Sequence, residues 1–180
     1  MQSIKVRSMV EAGVMIALAT VLSYIKVFEM PQGGSITAVS MLPILLYATR
    51  WGIKKGLLTS FVYGILQFLL QGGVSIHIGS IFLDYIFAFG ALGLAGFFYG
   101  SREKAMVGAL IGMVSRYVIL VISGVVLWYM YAPEGMSSLK YSLFYNASYM
   151  VPEGLITLVV LWFMYPQVKK IFPAEVRGQH

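Results

Sequence analysis

The sequence predicts an all-α integral membrane protein, a bundle of six transmembrane helices with cytoplasmic N- and C-termini. The 180 residues are 59% hydrophobic and only 11% charged, whereas roughly 25% of the residues in a typical soluble domain are charged. The apolar residues fall into runs of about 20, the length that a helix needs to cross a bilayer. Basic residues concentrate in alternate loops. We therefore expect residues 1–180 to form a single membrane domain with the lipid bilayer as its surroundings.

Apolar runs predict helices at residues 9–26, 36–48, 55–70, 76–99, 105–131 and 139–165. The first run is longer than the apolar region of a signal peptide and lacks a small-residue cleavage site, so we expect it to be retained as a helix. The second is short for a full span. It follows Met30-Pro31-Gln32-Gly33-Gly34, whose proline and glycines predict a turn or a re-entrant cap.

The distribution of Lys and Arg predicts the orientation. Ten of the 13 basic residues lie in the N-terminal segment, the second loop, the fourth loop and the C-terminal segment, whereas the first and fifth loops hold one each and the third none. Because loops rich in Lys and Arg remain in the cytoplasm, both termini are expected there. The net charge of +6 is then explained by membrane topology, and no nucleic acid partner is expected.

The composition argues against an enzyme, a metal site or a bound cofactor. There is no cysteine and there are only two histidines, so thiolate sites and histidine metal centres lack ligands. Phosphate-loop, zinc-protease and hydrolase-elbow motifs are also missing. We expect His77 to be a solvated loop residue and Glu11 to form a local ion pair with the basic N-terminal segment.

Three ionisable residues, Asp84, Arg116 and Glu153, lie inside apolar runs. Each costs roughly 2.5 to 3.5 kcal/mol at the centre of a membrane helix, which favours a functional role. Asp84 and Arg116 could form a structural ion pair, with Arg116 positioning Asp84. Adding Glu153 leaves a net charge of minus one, so a low-dielectric cavity formed by all three would be completed by a cation.

The last predicted helix carries a polar stripe. Ser142, Asn146, Tyr149 and Glu153 follow one another at spacings of four, three and four, which places them on one helical face. A polar stripe in a membrane must face protein or water. It could form a hydrogen-bonded seam between helices or line a ligand site.

Aromatic residues are expected near the same depth as Asp84. They could form an interfacial belt, or they could stack on a flat cationic ligand, where cation-π attraction is worth about 2 kcal/mol or more once desolvated. An acidic group combined with aromatic rings suits a planar, positively charged ligand. The aromatic residues are Tyr85, Trp128, Tyr129, Tyr131, Tyr141 and Tyr145.

Gly13 and Ala17 in the first predicted helix form a small-xxx-small pair. Such a surface lets a second helix approach closely. The pair could pack inside the bundle or dock a partner subunit.

Several short segments occur together in a fixed order. They are Met30-Pro31-Gln32-Gly33-Gly34-Ser35, Met41-Leu42-Pro43-Ile44, Asp84-Tyr85, Ser123-Gly124, residues 131–136, residues 141–146 and Pro152-Glu153. Through them the chain resembles the thiamine-specific substrate-binding subunits, or S components, of energy-coupling factor (ECF) vitamin transporters. The similarity covers nearly the whole chain, and residues 131–153 are its most specific part.

The resemblance implies a multi-pass protein of the prokaryotic cell membrane that binds thiamine from outside without chemistry. It also implies a transmembrane coupling subunit and two cytosolic ATPase subunits as partners, with Gly13 and Ala17 docking the coupling subunit. The ligand-binding residues that it implies, together with Glu153 from the charge argument, are Asp84, Tyr85, Arg116, Trp128, Tyr141, Asn146 and Glu153.

The chain departs from some family members at four positions. Some members have glutamate, lysine, histidine and a stacking tryptophan where this chain has Asp84, Arg116, Leu120 and Gly34, respectively. These changes could alter affinity or shift the preference toward a related pyrimidine. Two other functions stay open: a stand-alone proton-coupled carrier of thiamine or a pyrimidine, disfavoured by the lack of an internal repeat, and a structural scaffold.

Overall fold

The computed structural model describes residues 2–70 and 77–171, and these form six helices and one β-hairpin. Five of the six helices are long and apolar enough to cross a membrane; the ten-residue α2 is the exception. The predicted six-helix membrane bundle with a short second helix is therefore confirmed. The elements are α1 Gln2–Tyr24, β1 Lys26–Glu29, β2 Ser35–Thr37, α2 Leu42–Trp51, α3 Ile53–Leu70, α4 Ile78–Phe97, α5 Arg102–Val126 and α6 Ser138–Ile171.

The first loop forms an antiparallel β-hairpin that the sequence reading missed. Phe28 pairs with Ile36, and Glu29 pairs with Ser35. Gly33 and Gly34 make the turn with φ of +89° and +88°, a conformation that glycine adopts without steric cost. Because residues 35–37 belong to this hairpin, α2 starts at residue 42 and not at 36 as predicted.

Helix α4 is irregular along most of its length, although its sequence predicted a uniform helix. Residues Ile81–Phe87 are π-helical, and residues Ala91–Phe97 wind as a 3₁₀-helix. π-helical turns are rare and frequently occur at functional sites. Asp84 and Tyr85 both lie in the π-helical turn.

The 3₁₀ part of α4 packs directly on the backbone of α3. A Cβ atom added to Gly93 would lie 2.5 Å from Cα of Leu57, and one added to Gly96 would lie 2.6 Å from N of Ile53. Helices in membranes use such small residues to approach closely. This contact holds α4 beside the start of α3.

Helices α5 and α6 differ in length from their predictions. α5 ends at Val126, five residues early, and a short 3₁₀ turn at Tyr129–Tyr131 follows it. α6 runs to residue 171, six residues beyond the predicted end, with Pro152 and Pro166 inside it.

Glu11 joins α1 to α2 near the termini. Its carboxylate accepts hydrogen bonds from Arg7 Nε at 3.0 Å, from Arg50 Nε at 2.8 Å and from Trp51 Nε1 at 2.6 Å. The predicted local ion pair is thus confirmed and extended to α2. We call this end of the bundle, with the N-terminal end of α1 and the C-terminal end of α6, the inner half, following the predicted orientation, and the other end the outer half.

Candidate ligand-binding site

The outer half contains a cavity of about 530 Å³, within the range of small-molecule sites. The hairpin, α4, α5 and α6 form its walls. All seven residues predicted to bind a ligand line this one cavity: Asp84, Tyr85, Arg116, Trp128, Tyr141, Asn146 and Glu153. The structure therefore brings the predicted set together; the ligand contacts themselves stay a prediction.

Asp84 is held by a tryptophan. Its carboxylate accepts a hydrogen bond of 2.9 Å from Trp128 Nε1. The Trp128 ring stacks on Tyr131 with centroids 5.9 Å apart, and His77 packs edge-on against it at 5.6 Å. The prediction that His77 is simply solvated is wrong, because the start of α4 brings its ring to Trp128. One cavity wall thus combines a carboxylate with aromatic faces.

The sequence suggested an ion pair between Arg116 and Asp84, but the structure does not contain it. The guanidinium carbon lies 3.9 Å from the centroid of Phe89, and within the described ranges no carboxylate lies within 4.0 Å of the guanidinium nitrogens. Phe89 follows Asp84 by more than one helical turn, which places Arg116 deeper in the bundle. The side chain is only 9% exposed, and its Nε has no hydrogen-bond partner. A buried donor of this kind is available to a ligand.

Glu153 is the most deeply buried charge in the cavity wall, at 2% exposure. Its Oε1 accepts a very short hydrogen bond from Thr37 and a longer one of 3.4 Å from Ser40. Thr37 is the last residue of β2, and Ser40 lies in the segment that joins the hairpin to α2. The sequence analysis did not identify Thr37 and Ser40 as hydrogen-bond donors to Glu153. A buried carboxylate must find partners, and these two hydroxyl residues, close together before α2, could have suggested them.

The polar stripe of α6 forms a hydrogen-bonded seam with α5, and it also lines the cavity. Ser142 donates to the carbonyl oxygen of Val121 at 3.0 Å, which makes a seam with α5. Asn146 donates to the carbonyl oxygen of Ser142 at 2.9 Å and accepts from the Tyr149 hydroxyl at 2.6 Å. These bonds fix the orientation of the Asn146 amide at the cavity wall.

The turn of the hairpin closes over the cavity and is attached to α6 by one hydroxyl group. Tyr145 accepts a hydrogen bond from the backbone N–H of Gln32 at 2.9 Å and donates to the carbonyl oxygen of Gly33 at 2.8 Å. Tyr141 lies beside them and reaches the Gln32 side chain at 3.4 Å. These hydrogen bonds therefore hold the hairpin turn against α6, where it covers one side of the cavity.

Gly34 cannot be exchanged for a larger residue in this arrangement. Its φ is +88°, and a Cβ atom would lie 2.6 Å from the ring of Tyr149. The tryptophan that some similar proteins carry here is thus incompatible with this backbone. Leu120, another of the four departures, is buried and lines the cavity.

Gly13 and Ala17 lie on an exposed face of α1. A Cβ atom at Gly13 would meet nothing within 4 Å, so this residue does not mediate packing inside the bundle. The face is available to lipid or to a partner helix, and the partner stays a prediction.

The cavity is suited to binding. Its charged lining residues are Asp84, Glu153, Arg116 and the ion-paired Lys26 and Glu29, and their formal charges sum to minus one. Among the described residues no three His, Cys, Asp or Glu side chains are grouped to hold a metal. A carboxylate next to stacked aromatic rings favours a flat organic cation.

Comparison with known proteins gives a consistent result. A sequence model of the family described as "Thiamine transporter protein (Thia_YuaJ)" matches residues 9–173. The chain is 35% identical to a protein named thiamine transporter ThiT from Bacillus subtilis, over 97% of this chain and 98% of the relative. It is 30% identical to the protein of the same name from Lacticaseibacillus paracasei, over 92% and 90%.

Solved structures match the fold. A structure of ThiT from Listeria monocytogenes superimposes with a TM-score of 0.79 over 93% of this chain and 98% of its own, at 23% identity. A structure described as the S component of a bacterial ECF transporter superimposes with a TM-score of 0.63 over 94% and 99%, at 19% identity. The six-helix bundle is therefore an S-component fold.

Proposed function

Because the chain belongs to the thiamine transporter protein family, we propose that it captures thiamine from outside the cell as the substrate-binding subunit of an ECF-type importer. It is a multi-pass protein of the cell membrane, and its relatives are named transporters rather than enzymes. Thiamine carries a permanent positive charge on one of its two flat rings, and the cavity chemistry matches this ligand.

The pairing of Asp84 with Trp128 supports this function most strongly. The indole N–H fixes the carboxylate at 2.9 Å, while Trp128 and Tyr131 present stacked ring faces next to it. A thiazolium ring between these groups gains both charge attraction and cation-π contact. Because a hydrogen bond holds the carboxylate and stacking holds the rings, little further ordering is needed on binding.

The remaining cavity residues have complementary roles in this proposal. Arg116 offers its unpartnered Nε–H to an acceptor atom of the ligand. Asn146 and Tyr141 contribute polar groups from α6, and Tyr85 adds a ring on α4. The hairpin turn and the loop after α5 cover the bound vitamin.

Isothermal titration of the purified protein with thiamine tests the assigned role of Asp84. Asp84→Asn keeps the shape and the hydrogen bond to Trp128 but removes the charge. We expect an affinity loss of at least about tenfold, or 1.4 kcal/mol. Glu103→Gln, an exposed residue at the inner end of α5, is the matched control and should bind as the parent does. Equal affinity of Asp84→Asn and the parent would remove Asp84 from the site.

The importer proposal also requires partners. Gly13 and Ala17 give the exposed face of α1 a smooth strip on which a coupling subunit can lie, and ATPase subunits would then drive release inside. Liposomes containing this chain alone should bind thiamine but accumulate none, with or without a pH gradient. Accumulation driven by a pH gradient without ATPase subunits would instead establish the stand-alone carrier.

A further inference from the structure

The proposed function assigns no role to the charge of Glu153, because Asp84 and the neighbouring aromatic rings suffice to bind a cation. It lies on α6, deep in the cavity wall, and Asp84 lies on α4 in the opposite wall. Thr37 and Ser40 donate hydrogen bonds to Glu153, and no ion pair neutralises it within the described part of the chain. Hydroxyl donors of this kind stabilise a carboxylate without cancelling its charge.

Arg116 does not cancel the charge of Glu153 either. Its guanidinium is stacked on Phe89, with no carboxylate within 4.0 Å among the described residues. Lys26 and Glu29 form their own pair at the rim, with nitrogen and oxygen 2.7 Å apart. The cavity field is therefore set by Asp84, Glu153 and Arg116, and it is negative in sum.

We propose that Glu153 makes the cavity select free thiamine over its phosphate esters. This inference rests on the proposed thiamine-binding function and extends it to the choice among thiamine compounds. Free thiamine adds one positive charge and brings the three-charge cavity to neutrality. Thiamine monophosphate carries the same positive ring together with one or two negative charges on its phosphate, so its net charge is zero or minus one, and the cavity keeps a total charge of minus one or minus two.

The size of the effect follows from Coulomb's law and needs no particular ligand pose. Two unit charges about 10 Å apart, at an effective dielectric constant of about 20, change a binding constant by more than about tenfold. The cavity has a volume of about 530 Å³, so a phosphate inside it lies within roughly this distance of Glu153. Because the thiazolium ring is common to both compounds, removing that carboxylate changes the ratio of their binding constants through its repulsion of the phosphate.

Competition titrations with thiamine and thiamine monophosphate test the proposal. Glu153→Gln keeps an acceptor for Thr37 and removes the charge. We expect the ratio of the two dissociation constants to shrink by about tenfold or more, because the repulsion between Glu153 and the phosphate is lost while the ring contribution is common to both compounds. Glu103→Gln is the matched control, because it removes an exposed carboxylate at the inner end of α5 that does not line the cavity. In this control the ratio of the two dissociation constants should stay within about twofold of the parent value.

Three outcomes separate the hypotheses. A parent protein that binds neither compound refutes the proposed function. Tight thiamine binding with an unchanged ratio in Glu153→Gln refutes only the role of Glu153. A parent that binds the phosphate more tightly than thiamine also overturns the proposal, and it would mean that Arg116 dominates the cavity as a phosphate site.

A measurement on the parent protein keeps the proposal testable if Glu153→Gln does not fold. The ester gains its second negative charge with a pKa of about 6, and thiamine serves as a reference that meets the same protein groups. The preference for thiamine should widen several-fold between about pH 5 and pH 7.5. A constant or narrowing preference would contradict selection by a negative cavity.

Discussion

The inner and outer halves of the bundle differ in the pairing of their arginines and in how closely their helices pack. In the inner half, Glu11 receives hydrogen bonds from three side chains, and glycines bring the backbones of α3 and α4 into contact. In the outer half, Arg116 has a buried nitrogen without a partner, and the helices enclose a cavity instead of packing. The inner half stabilises the fold, and the outer half keeps binding groups available at a cost in stability.

The largest effect is expected from filling the close contact of the inner half. Gly93→Ala places a methyl group 2.5 Å from Cα and N of Leu57, and a backbone cannot yield as a side chain does. We expect the free energy of unfolding to fall by about 2 to 3 kcal/mol, which would lower the melting temperature in detergent by roughly 5 to 10 °C.

Gly13→Ala is the matched control for this substitution, because a Cβ atom there meets nothing within 4 Å. Its melting temperature should stay the same or rise slightly, since alanine favours a helix more than glycine does. Equal melting temperatures for the two variants would show that α3 and α4 do not rely on this contact.

The sequence predicted the elements that depend on local pattern. Apolar runs located the helices, and charges inside those runs identified three residues that line the cavity, while the family resemblance implied the other four. Three-dimensional packing decided what was missed. The pairing of Asp84 with Trp128 joins residues 44 positions apart, and the contact of Thr37 with Glu153 spans 116.

The irregular elements escaped prediction for a related reason. The π-helical turn at Ile81–Phe87 has no periodicity that distinguishes it from an α-helix over seven residues. The hairpin strands, of four and three residues, are too short to show alternation. Opposite charges inside the membrane suggested an ion pair between Asp84 and Arg116, but depth along α4 separates them.

Two arginines offer a smaller and sharper test of the difference between the halves. Each lies over an aromatic ring, Arg50 at 5.3 Å from Trp51 and Arg116 at 3.9 Å from Phe89. Arg50 is paired with Glu11 at 13% and 12% side-chain exposure, whereas Arg116 has no such pair among the described residues. Methionine replaces either side chain with similar length and no charge.

Arg50→Met should destabilise the ligand-free protein by about 1 to 2 kcal/mol, because Glu11 retains only Arg7 and Trp51 as donors. Arg116→Met should cause no loss, and it should raise stability by up to about 1 kcal/mol, because it removes a buried charge without a partner. Thermal unfolding in detergent measures both effects, and thiamine titration should show a changed affinity only for Arg116→Met, because Arg116 lines the cavity and Arg50 does not. A clear loss of stability in Arg116→Met would mean that this guanidinium holds the outer half together, and the contrast between the halves would then be wrong.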